Sequence, residues 1–127
     1  NPDELRNLYD TKHIGLKDRV ANHKNAPLDV VRNYVDSQMK YPHALVNPKL
    51  MNKVLPVDNQ AQYYFTHPNQ FNQSKSNIHP DVIDKIHKYS KMSADKFNPQ
   101  FRTHLNDVKT ILSDMDLKQH RNNYRDE

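Results

Sequence analysis

His79-Pro80-Asp81-Val82-Ile83-Asp84-Lys85-Ile86-His87-Lys88-Tyr89-Ser90 is the stretch that sets the fold class. Proline is favoured at the first position of a helix: its missing N–H would be unbonded there anyway, and its φ is already helical. Behind Pro80, the residues Val82, Ile83, Ile86, Tyr89 and Ser93 recur on one side, and Asp81, Asp84, Lys85, Lys88 and Lys91 lie opposite. The spacing predicts an amphipathic helix from Pro80 to Phe97. Asp81 and Asp84 fall in its first turn, where carboxylates offset the helix dipole.

The same punctuation recurs along the chain. Asn-Pro occurs at Asn1-Pro2, Asn47-Pro48 and Asn98-Pro99, and His-Pro at His67-Pro68 and His79-Pro80. Asparagine is a good N-cap because its side-chain oxygen accepts from the first free N–H groups of the helix. Four of these pairs precede apolar-periodic runs and are read as helix starts, at Pro2, Pro48, Pro80 and Pro99. The first helix is expected to run to about His13, with Leu5, Leu8 and Tyr9 on one face and Gly15 interrupting it. A short piece from Leu16 to about His23 follows. Pro27 to Met39 carries Leu28, Val30, Val31, Tyr34, Val35 and Met39 over about half its circumference, and is expected to be the most buried helix. Tyr41-Pro42 ends it. Pro48 to Leu55 is a short helix stopped by Pro56. From Pro99, the residues Phe101, Leu105, Val108, Leu112 and Met115 step by four, three, four and three, one seam of a packed helix extending to about Asn122.

Between these helices, 57–78 is the least regular segment and is expected to be irregular and mobile. Tyr63, Tyr64 and Phe65 suggest a short strand with no partner strand, and 69–77 reads as a polar loop. A polar tail is expected from about Gln119. The resulting expectation is an all-α chain: an irregular bundle of five or six helices forming one domain over 1–127. Its core is drawn from Leu5, Leu8, Leu28, Val31, Tyr34, Val35, Leu50, Val54, Ile83, Ile86, Phe101, Leu105, Val108 and Leu112.

Composition supports helices and excludes several chemistries. The 127 residues include one glycine, Gly15, and eight prolines. Nucleotide-binding loops of the Rossmann or Walker kind need several glycines, so both are excluded. Cysteine is absent, which removes disulfides, thiolate metal sites and cysteine nucleophiles. That usage suits a cytoplasmic protein, with export or processing from a longer chain as the alternative. No apolar run reaches the roughly 18 residues that a membrane helix needs, so membrane insertion is not expected. Only 35% of the residues are hydrophobic, which implies a small core or one shared with a partner. The formal charge is +4 and the isoelectric point about 9.2, a mild excess that suits an acidic partner.

No motif carries catalysis. The eight histidines, His13, His23, His43, His67, His79, His87, His104 and His120, include no pair at the i, i+4 spacing of a helical metal site. No metal, cofactor or catalytic residue is therefore assigned. Asp81/Asp84 serve the helix dipole, and Asp114/Asp116 point about 200° apart on a helix, too divergent to share a proton. The serines sit in no nucleophile motif.

The candidate binding residues are the aromatics Tyr63, Tyr64, Phe65 and Phe71 and the lysines Lys75, Lys85, Lys88 and Lys91, with Lys96 further along the same helix. Rings exposed beside lysines would stack single-stranded bases or anchor a protein interface. Rings turned inward would be core. The first reading is a non-enzymatic helical interaction module that binds a protein partner or forms a homo-oligomer. The alternatives are a nucleic-acid-binding module using helix 80–97 and segment 60–73, and a small enzyme or metal-dependent domain supported only by the histidine count.

Overall fold

The computed structural model describes residues 1–10, 14–92 and 99–125. Among them the order is α1 (Pro2–Tyr9), α2 (Ile14–Ala21), α3 (Leu28–Met39), α4 (Pro48–Val54), α5 (Val57–Thr66), α6 (Pro68–Ser74), a 3-10 turn (Lys75–Asn77), α7 (Pro80–Ser90), α8 (Pro99–Ser113) and α9 (Leu117–Asn123). The described residues contain no strand. The fold is all-α, with more and shorter helices than the five or six expected. It divides into two compact units, Asn1–Leu55 and Pro56–Glu127.

Prolines open the helices as the sequence implies. Pro2, Pro48, Pro68 and Pro80 sit in the first turns of α1, α4, α6 and α7, and α8 begins at Pro99. The cap side chains do what their chemistry allows. Asn1 Oδ1 accepts from the N–H of Asp3 at 2.8 Å, Asn47 Oδ1 from Lys49 at 3.0 Å, and His79 Nδ1 from Asp81 at 3.0 Å. Pro27 and Pro56 stand one position earlier, as the cap residues of α3 and α5.

In the first unit α1 packs on α2, α2 on α3 and α3 on α4. Leu5, Tyr9, Val20 and Val30 form a buried cluster, and the half-buried Tyr34 covers it. Polar ties close its edges: Arg6 reaches Asp29 at 2.9 Å, the Tyr34 hydroxyl donates to Asp18, and Lys17 Nζ lies 4.1 Å above the Tyr9 ring. The first helix ends at Tyr9, and its expected last residue, His13, lies outside the described residues. Gly15 does not interrupt a helix; it lies within α2. The side chain of Leu16, where the second piece is expected to begin, also lies outside the described residues.

α3 is not the most buried helix. Val30, Val31 and Val35 are buried, but Leu28 is 63% exposed. An apolar arc covering half a helix is wider than the surface two neighbouring helices can cover. Leu8, 44% exposed, likewise falls outside the core. Val54, Phe101 and Leu105 are half-buried, whereas Leu5, Val31, Val35, Leu50, Ile83, Ile86, Val108 and Leu112 are interior as expected.

The second unit is centred on α5, which packs on α6, α7 and α8. Segment 57–78 is therefore not irregular: it holds two α-helices and a 3-10 turn, and Tyr63, Tyr64 and Phe65 lie on α5 rather than on a strand. Gln60, Ala61, Tyr63, Tyr64 and Phe65 are all buried there. Phe65 lies 4.8 Å from the Phe101 ring and 6.4 Å from Tyr89, and Tyr64 lies 6.2 Å from Phe71. Such aromatic pairs add about 0.5–1.5 kcal/mol beyond the area they bury. On α7, Val82, Ile83 and Ile86 face inward. α7 ends at Ser90 rather than Phe97, and Ser93, Asp95, Lys96 and Phe97 lie outside the described residues.

α8 stops at Ser113 instead of continuing to Asn122. Ser113 and Asp114 are weak helix formers whose side chains compete for backbone bonds. Ser113 Oγ donates to the Thr110 carbonyl at 2.7 Å, and Asp116 Oδ1 accepts from the Gln119 N–H at 3.0 Å to cap α9. The tail expected from Gln119 is thus helical as far as Asn123. Arg121 holds α9 to α7 through Asp81 at 3.0 Å and Asp84 at 2.6 Å.

Candidate functional site

The surface with the clearest chemistry lies between the end of α7 and α8. His87 and Ser90 of α7's last turn and Lys91, its C-cap residue, follow one another at i, i+3 and i+4 and share one side. Arg102, Leu105, Lys109 and Leu112 follow at i, i+3, i+7 and i+10 along one side of α8. The two sides face each other across an open groove of about 530 Å³, completed by Met92 and Ser113. This periodicity also explains the groove's two characters. Leu105 and Leu112 belong to the α8 seam and supply an apolar floor, while Arg102 and Lys109 occupy the flanking positions and supply its basic edge.

Among the described residues its charges have one sign. The described lining holds two lysines, an arginine and a histidine, and no carboxylate. Lys91 and Lys109 have no ion-pair partner among the described residues. The hydroxyls are committed to the backbone: Ser90 Oγ donates to the His87 carbonyl at 2.6 Å, and Ser113 Oγ to Thr110. A serine so engaged is not aligned with an imidazole base. The described lining thus sets positive charge beside an apolar floor.

Of the residues the sequence singles out, Lys91 lies in this groove. Tyr63, Tyr64, Phe65 and Phe71 are all buried, Phe65 and Phe71 completely. They form the interior of the second unit and offer no ring face for stacking bases or anchoring a partner. Burial pushes the Tyr64 hydroxyl far above the usual tyrosine range and raises Tyr63 as well. The Tyr63 hydroxyl is buried with no hydrogen-bond partner among the described residues. Lys85 pairs with Asp58 at 3.1 Å. Lys75 lies on the 3-10 turn and donates to Asn72 Oδ1 at 3.1 Å. Lys88 is exposed on α7 away from the groove lining. Sequence reasoning missed His87, Arg102 and Lys109. The available signal was the basic residues flanking the Leu105 and Leu112 seam.

Several histidines are occupied structurally. An imidazole N–H of His120 donates to the Ile78 carbonyl at 2.8 Å, and the His79 ring meets Tyr124 edge-on at 5.2 Å. No group of three His, Cys, Asp or Glu that could hold a metal occurs among the described residues. Asp81 and Asp84 are bridged by Arg121, whose guanidinium is held in its charged form by their hydrogen bonds. Among the described residues no helix is long and apolar enough to cross a membrane. No protein-family model matches the chain, and no curated protein or solved structure matches it significantly.

Proposed function

We propose that this protein is a non-enzymatic binding module whose α7–α8 groove takes an acidic segment of a protein partner, one that carries an apolar side chain among its carboxylates. The observation behind this reading is the pairing of a basic edge, Lys91, Arg102 and Lys109, with an apolar floor, Leu105, Leu112 and Met92. Carboxylates would satisfy the edge, and an aliphatic or thioether side chain would cover the floor, contributing about 25 cal/mol for each Å² of apolar surface removed from water. A nucleic-acid backbone would satisfy the edge and leave the floor wet. The inward placement of the α5 and α6 aromatics also removes the stacking surface that single strands use.

The test is fluorescence anisotropy with a labelled peptide alternating Asp, Glu and Leu. Binding is expected at low salt and weakens as salt screens the edge. Lys91→Glu/Lys109→Glu is expected to weaken it by about tenfold or more, since each lost charge contact contributes about 0.2–1 kcal/mol and the reversal adds repulsion. Absence of binding at low salt would overturn the reading. Tighter binding of labelled duplex or single-stranded DNA than of the peptide would replace it with a phosphate-binding one.

A further inference from the structure

We infer that the acidic segment this groove takes is the α8–α9 corner of a second copy of this chain, Asp114-Met115-Asp116. The inference rests on the binding reading above and names its partner. The corner has the required composition: two exposed carboxylates flank a half-buried thioether side chain. It is also preformed. The N–H of Asp114 donates to the Ile111 carbonyl at 3.2 Å, the N–H of Met115 to Leu112 at 3.1 Å, and Asp116 caps α9. A rigid corner loses little conformational entropy on docking.

Charge bookkeeping within the second unit points the same way. Asp58 is paired with Lys85, and Asp81 and Asp84 with Arg121. Lys91 and Lys109 of the groove, and Asp114 and Asp116 of the corner, have no ion pair among the described residues, as is also true of Lys88, Asp107 and Lys118 elsewhere on the unit. Lys75 borders the same shallow recess as the corner, but its ammonium donates to Asn72. The corner cannot enter the groove of its own chain, because α8 is one wall of that groove and the corner continues from α8's last residue. Opposite charges on distinct surfaces of one subunit meet only between subunits.

Sedimentation velocity at low and high salt tests this with three proteins: the natural chain, Lys91→Glu/Lys109→Glu, and Asp114→Lys. The substitutions are at exposed positions, and circular dichroism checks that helicity is kept; Lys91→Gln/Lys109→Gln and Asp114→Asn serve if a reversal disturbs folding. The natural chain is expected to gain mass with concentration at low salt and lose it at high salt. Each variant alone is expected to associate at least about tenfold more weakly, and an equimolar mixture of the two reversals to recover association. A monomeric natural chain that still binds the Asp/Glu/Leu peptide would overturn this inference and leave the binding reading intact. Absence of both would overturn both. Association indifferent to salt and to the reversals would place the contact elsewhere and overturn it too.

Discussion

Helices α3 and α5 are of similar length and sit in different units, yet they bury their residues very differently. α3 carries apolar side chains over half its circumference, buries three valines and leaves Leu28 largely in water. α5 is interrupted by Asn59, Gln60 and Gln62, yet it buries Gln60, Ala61, Tyr63, Tyr64 and Phe65. The difference lies in their neighbours. α5 packs on α6, α7 and α8, whereas α3 packs on α2 and α4. Burial follows the number of surfaces a helix meets, and the apolar arc sets only which residues can respond. With the α5 and α6 rings committed to the interior, the function proposed above rests on charged positions around α8.

Truncating Phe65 to Ala should be the most damaging change, at about 3–5 kcal/mol, because the ring is completely enclosed and touches Phe101. Urea unfolding measures it, and a loss below about 1 kcal/mol would mean that α5 is not the centre of its unit. Next comes alkali. Burial raises the Tyr64 hydroxyl above its unfolded value of about 10. Its contribution to stability is therefore intact below about pH 10 and is lost as pH rises toward the folded value. Tyrosinate absorbance from Tyr64 should appear together with loss of helical circular dichroism. Ionisation well before that loss would show the ring to be accessible. Tyr34 on α3 is also raised, by burial first and then by its hydrogen bond to Asp18. Because it is only half-buried, its ionisation is expected to require less of the fold to open.

Tyr63→Phe removes a buried hydroxyl that no described group satisfies. Stability is expected to hold or rise by about 1 kcal/mol, since an unmatched buried polar group costs about 1–3 kcal/mol. A loss above about 1 kcal/mol in thermal unfolding would reveal a partner for it. The smallest effect is expected from Leu28→Ala, within about 0.5 kcal/mol, because the side chain is mainly in solvent. A loss of 2 kcal/mol or more by the same measurement would restore α3 to the interior and erase the contrast with α5.

The helix starts were legible because their chemistry is local. Asn1, Asn47 and His79 cap with their own side chains within three residues, and proline fixes φ wherever it stands. α7 was legible for the same reason: its stripe lies within one turn-to-turn repeat. α5 and α6 were not. Gln and Asn break the apolar count at Gln60, Gln62, Gln70 and Asn72, and whether such residues are interior depends on neighbours far along the chain. His67-Pro68 opens α6 as the other pairs open their helices, but no apolar stripe follows to announce it. The groove was partly legible. Lys91 stood out on α7, while Arg102 and Lys109 gain meaning only when α8 is laid beside it. A site assembled from two helices has no signature on either one.

A nuclear magnetic resonance titration of the protein with the Asp/Glu/Leu peptide tests the central claim most directly, since it reports every backbone amide at once. Shifts should concentrate at His87, Lys91, Arg102, Leu105 and Lys109 and leave Tyr63, Tyr64 and Phe71 unmoved. Shifts centred on α5 and α6, with the α7–α8 groove silent, would contradict both the inward aromatic segment and the basic groove as the working surface.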